Sequence, residues 1–139
     1  MNNKASTLKE KEFSPKEILF LYYQAMAIGD LKTLKNLMVP STYMMTLEIF
    51  GLKISFRDSK FKELLHQCKD DESALLKVEN ILAQDLLESQ NNYQIEYLKT
   101  ETTGHDRRTV HYKEDTKLKK LYLSKINLWK IDLMAGRRK

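Results

Sequence analysis

Three histidines and one cysteine are the side chains of this chain best suited to metal binding or nucleophilic catalysis. His66 and Cys68 lie two residues apart on a predicted helix, so their side chains point in different directions. His105 falls in a predicted turn and His111 on a predicted strand. This spacing matches no zinc-binding pattern, and the sequence offers no base beside Cys68 that could activate a thiol. The sequence also contains no phosphate-binding or dinucleotide-binding glycine motif, and we expect neither a metal nor a cofactor.

Residues 14–38 contain the clearest structural signal of the chain. Ser14 and Glu17 form a capping box ahead of a helix, and Pro15 occupies the first helical position, where a missing N–H costs nothing. Gly29 is suited to the left-handed residue that ends this helix, and Asp30 is suited to capping the next one. The sequence therefore predicts two helices separated by a tight Gly-Asp break.

Length and composition predict a single domain with a disulfide-free core. The chain has 139 residues, of which 42% are hydrophobic, and one cysteine cannot form an internal bridge. We expect a disordered arm at 1–13, one domain at 14–134 and a basic tail at 135–139. No apolar run is long enough to span a membrane, and the first residues lack the apolar core of a secretory signal. We expect a cytoplasmic protein, unless a leader precedes this sequence in the native protein.

The middle of the chain allows more than one interpretation. Residues 41–56 are rich in β-branched and aromatic residues, and we favour a strand there. Gly51 would be a bulge or a turn between two extended pieces, while Met44 and Met45 allow a short helical start. Residues 59–89 have helical apolar spacing with a polar interruption, which predicts one kinked helix or two helices.

From Tyr93 onward the apolar period changes to two, which is typical of strands with one buried face. In the last strand Trp129 and Ile131 face one side, and we expect Asp132 to point outward. Short connections predict an antiparallel meander, and helices followed by a meander predict an α+β fold. The predicted strands begin at Tyr93 and cover 107–113, 118–124 and 128–134.

Positive charge is concentrated at the end of the chain. Residues 1–106 have a balance of −3 and residues 107–139 a balance of +8, which sum to the net charge of +5. This pattern allows an anion or nucleic-acid surface, which would require five basic residues to cluster: Arg107, Arg108, Lys119, Lys120 and Lys125. Lysine also discourages pairing at exposed strand edges. We prefer that second explanation and expect no nucleic-acid partner.

The tyrosine-bearing helix, the Gly-Asp break, the Leu-x-x-Leu-x-x-Leu-Met helix at 31–38 and the Leu-Trp-Lys-Ile-Asp-Leu segment at 128–133 together resemble the nuclear-transport-factor-2-like superfamily. This superfamily includes ketosteroid isomerases, polyketide cyclases, small dehydratases and non-catalytic accessory domains, some attached to penicillin-binding transpeptidases. The resemblance implies a cystatin-like cone, in which N-terminal helices pack in the concave face of a strongly bent antiparallel sheet and a cavity lies between them. It also implies a homodimer formed through the outer face of the sheet.

The resemblance to ketosteroid isomerases also suggests candidate catalytic residues. Their helical tyrosine lies seven residues before the glycine of Gly-Asp, which corresponds to Tyr22. Their general base corresponds to Thr46, which cannot act as a base. Glu48, two residues further along the same predicted strand face, is a permissible substitute. For the second oxyanion donor, Glu96, His111 and Asp132 give no clear match.

Two function classes follow, and we prefer the first. A non-catalytic module would hold a small apolar or amphipathic ligand, or a protein partner, and its cavity would be lined by Tyr22, Met26, Tyr43, Met45, Leu47, Trp129 and Ile131. A cofactor-independent lyase or isomerase would instead place Glu48 or His111 in that cavity, within hydrogen-bond reach of a tyrosine hydroxyl.

Overall fold

A computed structural model describes residues 12–89 and 92–135, which form five helices followed by a four-stranded sheet. The helices are α1 (Pro15–Ile28), α2 (Leu31–Leu37), α3 (Pro40–Ser55), α4 (Ser59–Gln67) and α5 (Glu72–Ser89). The strands are β1 (Ile95–Gly104), β2 (Arg107–Glu114), β3 (Lys117–Lys125) and β4 (Trp129–Ile131). The predicted α+β class is therefore confirmed. Most of the predicted arm (1–11) and tail (136–139) lies outside the described residues.

The break between α1 and α2 has the predicted local chemistry. The Ser14 hydroxyl accepts from the Glu17 amide at 3.2 Å, and the Glu17 carboxylate accepts from the Ser14 amide at 2.8 Å. Gly29 is left-handed, with φ of 69°, and Asp30 accepts from the Thr33 amide at 3.1 Å. A Cβ at Gly29 would lie 2.3 Å from the Ala83 carbonyl oxygen, so glycine also permits α1 to approach α5.

The strand predicted at 41–56 is wrong, because Pro40–Ser55 forms α3. Pro40 occupies the first turn of the helix, where its ring is tolerated. Buried residues of α3 include Tyr43, Leu47 and Ile54, which recur at helical spacing and pack against the core. The Thr46 hydroxyl donates to the Thr42 carbonyl oxygen at 2.8 Å, within the helix. Tertiary packing thus overrides the strand propensity of the β-branched and aromatic residues.

Gly51 is neither a bulge nor a turn. It lies inside α3, and a Cβ there would come within 2.9 Å of the Phe61 ring and 3.2 Å of Leu65. Phe61 is buried in α4, so its ring has little room to move away. The glycine therefore lets α3 and α4 pack closely.

Residues 59–89 form two helices, which settles the alternative left open by the sequence. The Asp58 carboxylate accepts from the Lys60 and Phe61 amides and caps α4. The Asp71 carboxylate accepts from the Ser73 and Ala74 amides ahead of α5. Each of the two helices thus has its own N-cap, in which a short aspartate side chain accepts from backbone amides that have no partner within the helix.

The predicted antiparallel meander is confirmed, with strand order β1-β2-β3-β4. Val110 pairs with Leu121 in the centre of the sheet, and both side chains are buried against the helices. Pairing between β1 and β2 shifts register twice, between Tyr97 and Lys99 and again between Thr102 and Gly104. Such irregularities bend a strand and increase its twist.

The last strand ends earlier than predicted because Asp132 does not point outward as expected. Its side chain is only 5% exposed; it accepts from the Ser124 hydroxyl at 2.9 Å and from the Met134 amide at 3.1 Å. An aspartate that accepts from an amide two residues later forms a local turn in place of a strand ladder. This turn explains why β4 covers only Trp129–Ile131.

We predict that Gly51→Ala lowers the free energy of unfolding by about 1–2 kcal/mol, because overpacking against Phe61 outweighs the gain in helix propensity. Chemical denaturation with circular dichroism measures this change. Gly104→Ala is the matched control, because the nearest atoms to a Cβ there, in the Arg107 side chain, lie at 3.4 Å or more, an ordinary van der Waals distance. A more stable Gly51→Ala variant would contradict the packing described for α3 and α4.

Candidate functional site

An apolar cleft lies where the α2–α3 connection meets the β3–β4 turn. Its volume is about 530 Å³. We call it the α2–α3 cleft. It is lined by Lys35, Asn36, Met38, Val39, Pro40, Tyr43, Met44, Leu75, Ile126, Asn127, Leu128 and Lys130. Two lysines and no acidic residue occur in this lining, so the cleft combines apolar walls with positive charge.

Backbone contacts between distant segments hold the two sides of the α2–α3 cleft together. The Val39 amide donates to the Ile131 carbonyl oxygen at 3.0 Å, beside an isolated parallel bridge between Met38 and Ile131. The Leu133 amide donates to the Thr42 hydroxyl at 3.1 Å. The end of the sheet is thus fixed to the start of α3.

Tyr43 is a fixed wall of the cleft. Its hydroxyl donates to the Glu79 carboxylate of α5 at 2.5 Å, and burial together with this carboxylate raises the pKa of Tyr43 above its ordinary value. The Lys35 ammonium lies 5.7 Å from the centre of the Tyr43 ring. The phenol therefore stays neutral, and its ring supports a cation beside the opening of the cleft.

A second cleft, of about 290 Å³, adjoins the first. We call it the Trp129 cleft, and its lining is Phe13, Leu21, Thr33, Asn36, Leu37, Leu128, Trp129 and Lys130. Asn36, Leu128 and Lys130 line both clefts. The Lys130 ammonium donates to the Asn36 carbonyl oxygen in the last turn of α2, where a cation also suits the helix dipole. The Lys130 side chain therefore separates the two clefts.

The predicted ligand-binding residues occupy several environments. Tyr43 lines the α2–α3 cleft and Trp129 the Trp129 cleft. Leu47 and Ile131 are fully buried core residues. The other three, Tyr22, Met26 and Met45, are partly buried and line neither of these two clefts.

Tyr22 lies beside a buried tyrosine group between α1 and the sheet. The Tyr23 hydroxyl lies 2.7 Å from the Tyr112 hydroxyl and donates to the Glu114 carboxylate at 2.7 Å. Glu114 also pairs with the Lys119 ammonium at 3.2 Å. Tyr22 packs edge-on against Tyr23, with 5.0 Å between ring centres. These contacts join α1 to β2 and β3, so the group is a polar clamp within the core.

The other two catalytic candidates lie apart from Tyr22. Glu48 is exposed on α3, not on a strand, and pairs with Lys69 of the α4–α5 connection at 3.2 Å. His111 pairs with Glu101 at 2.8 Å. It alternates along β2 with the core residues Val110 and Tyr112, so it faces the opposite side of the sheet. The structure brings neither acid-base candidate to the tyrosine.

The basic residues near the end of the chain are divided between the two faces of the sheet. Arg108 lies over Trp129 at 4.7 Å on the helix-covered side, where Lys119 and Lys125 also lie. Arg107 and Lys120 alternate with these positions and point to the other side. Neighbouring basic residues in one strand thus do not form one patch.

Metal and thiol chemistry find no support in the described part of the chain. No group of three or more potential metal ligands occurs within residues 12–89 and 92–135. Cys68 is buried, and burial raises the pKa of its thiol, which disfavours the nucleophilic thiolate. No helix in these same ranges has the length and apolar character needed to cross a membrane.

Sequence reasoning missed Lys35, Asn36 and Lys130 as site residues. Each looks like an ordinary polar surface residue, and the site forms only because β4 reaches the end of α2. The alternation in β4 gives no signal for this site, because it places Lys130 on the face opposite to Trp129 and Ile131. The contact partner of Lys130, 94 positions away, could not be inferred from local pattern.

We predict that Tyr22, Tyr23, Tyr43 and Tyr112 stay protonated in the folded protein when the pH passes their ordinary value of 10.0. Burial raises the pKa of each hydroxyl, so stability is unaffected below pH 10.0 and falls as the pH rises above it, where the unfolded chain ionises first. Phenolate absorbance measured with and without denaturant tests this. The native curve should lack the amplitude of four of the seven tyrosines until alkaline unfolding, whereas overlapping curves would contradict the burial described.

Comparison of the chain with protein-family models, curated proteins and solved structures finds no significant match. The functional interpretation therefore depends on the geometry of the clefts and on the chemistry of the side chains that line them.

Proposed function

We propose that this protein is a non-catalytic binding module whose α2–α3 cleft holds a small amphipathic anion. The observation that carries the proposal is an apolar cleft of about 530 Å³ whose lining has two lysines and no carboxylate. Apolar walls with a few placed polar groups are typical of small-molecule sites. The apolar part of the ligand would lie against Met38, Met44 and Leu75, and its negative head group would lie near Lys35 and Lys130.

The resemblance to the nuclear-transport-factor-2-like superfamily is part of this proposal. Its support is the order of helices and meander, the two register shifts that bend β1, and the packing of α1 on one face of the sheet. Within such a cone, the bond from Val39 to Ile131 would close one end of the sheet against the helices.

Binding is favoured over isomerase or lyase chemistry by the separation of the acid-base candidates. General acid-base catalysis needs a titratable group within hydrogen-bond reach of the reacting atoms. Glu48 and His111 each pair with another surface side chain, and the Tyr23 hydroxyl is already engaged by Tyr112 and Glu114. The lining of the α2–α3 cleft instead contains two lysines and two asparagines, which suit recognition of an anion.

The proposal predicts that dodecanoate raises the melting temperature of the protein in a concentration-dependent way and that dodecanol raises it less. A ligand at 100 times its dissociation constant adds about 2.7 kcal/mol of stability, which differential scanning fluorimetry detects. Asn127→Trp, which places an indole at the exposed edge of the cleft, should abolish the shift. If the unblocked protein responds to neither compound, the proposal fails.

Charge variants separate recognition of the head group from general apolar binding. Lys35→Gln should weaken dodecanoate binding about 3- to 10-fold and leave dodecanol binding unchanged, because one partly solvated cation contributes about a kcal/mol. Lys32→Gln is the matched control, since Lys32 is exposed on the same helix and does not line the cleft. Equal effects of the two variants would show that Lys35 does not contact the head group.

A further inference from the structure

One face of α3 carries large apolar side chains that are mostly exposed in the described part of the chain. Ile49 is 57% exposed, Leu52 56% and Phe56 83%. Met45, one turn before Ile49, is partly buried. These four residues follow one another at steps of four, three and four, so they lie along one stripe of the helix. We call this stripe the α3 seam: Met45, Ile49, Leu52 and Phe56.

The spacing of the α3 seam is that of a two-heptad coiled coil. Met45 and Leu52 occupy d positions, and Ile49 and Phe56 occupy a positions. Phe56 continues the helical path, since its φ of −68° and ψ of −23° are right-handed helical values. Tyr43, Leu47 and Ile54 already fill the opposite, core-facing side of α3. The helix therefore has one apolar face for the core and a second that the described residues cover only in part.

The charged residues beside the α3 seam indicate what covers it. Glu48 occupies a g position and Lys53 an e position, on opposite flanks of the stripe. They are five residues apart, which is the separation at which g of one helix meets e of a parallel partner helix. Glu48 now pairs with Lys69 at 3.2 Å, and the two side chains are 48% and 54% exposed. Such a surface pair contributes little and can be exchanged.

We propose that the α3 seam binds the α3 seam of a second copy of this chain, with the two helices parallel about a two-fold axis. In this arrangement each apolar residue meets its own counterpart, and Glu48 of each copy meets Lys53 of the other. A two-fold interface requires this self-complementarity. An antiparallel pair would instead bring the two Glu48 flanks together and the two Lys53 flanks together, which is unfavourable. Two heptads form a small interface, so we expect a weak dimer that dissociates on dilution.

This surface differs from the outer sheet face implied by the family resemblance. On that outer face His111 pairs across strands with Lys120, and Lys113 pairs with Leu118. Glu96 lies opposite Lys113, and Glu101 pairs with His111 on the same face, so this face carries charged side chains of both signs. The centres of protein interfaces are depleted in charged residues. The apolar character and the charge pattern both favour α3.

Sedimentation velocity of the full chain across a concentration series tests the proposal. The unmodified chain should form dimers, and Leu52→Asp should weaken dimerisation about 100-fold or more, because it places charges in the centre of a small apolar interface. Leu118→Asp is the matched control, since Leu118 is 73% exposed on the sheet and should leave the dimer intact. Unchanged circular dichroism and melting temperature confirm that both variants fold. A chain that stays monomeric throughout, or loses its dimer only in Leu118→Asp, overturns the proposal.

Charge exchange tests the parallel arrangement separately. Glu48→Lys should weaken the dimer about 10-fold, since two attractive pairs become repulsive. The double variant Glu48→Lys with Lys53→Glu should restore dimerisation. A single Glu48→Lys variant that dimerises like the unmodified chain would overturn the parallel pairing. A monomeric chain that binds phosphatidylglycerol vesicles through Leu52 would assign the α3 seam to a membrane surface. That result would overturn the proposed dimer.

Discussion

A hydrogen bond between segments far apart in the chain determines the shape of the site. The Val39 amide, at the junction of α2 and α3, donates to the Ile131 carbonyl oxygen at 3.0 Å. Val39 cannot use this amide inside α3, because it is the residue immediately before that helix begins. Pairing it with the last strand satisfies a buried donor and brings Lys130 to the end of α2. Both clefts beside Lys130 depend on this junction.

The tyrosine group and the α2–α3 cleft differ in how their polar atoms are paired, although both contain phenol side chains. Around Tyr23 the polar atoms are paired with one another, and the resulting network connects α1 to β2 and β3. A network of this kind favours one packing arrangement of the core. At the α2–α3 cleft, the Tyr43 hydroxyl is paired with Glu79, and apolar side chains such as Met38, Met44 and Leu75 lie beside lysines and asparagines in the lining. This contrast supports a structural role for the first group and is the basis on which we propose ligand binding at the second.

Local chemistry made several parts of the fold predictable. The break at Gly29 and Asp30 and the alternation in β2 and β3 each depend on a few neighbouring residues, and the structure has them as predicted. Residues 41–56 were not predictable in the same way, because their β-branched and aromatic side chains favour a strand until the packing of α3 on α4 and α5 is considered. Gly51 illustrates this, because the nearby Phe61 ring favours a glycine there, and not a special backbone conformation at Gly51 itself.

The site was less predictable than the fold. Tyr43 and Trp129 were expected to line a cavity, and each lines a cleft. Lys35 and Lys130 were not expected, because their position near those clefts follows from the meeting of α2 with β4. Asp132 was expected outside and is buried, because its carboxylate accepts from Ser124 and Met134 and ends the strand. Contacts between distant segments account for these differences.

Amide hydrogen exchange of Val39, measured by nuclear magnetic resonance, tests the central claim most directly. If this amide joins the last strand to the start of α3, it should exchange as slowly as the most protected amides of β2 and β3, through global unfolding. Fast exchange of Val39 under conditions in which the central strands remain protected would show that the junction is open, and it would contradict the account of both clefts.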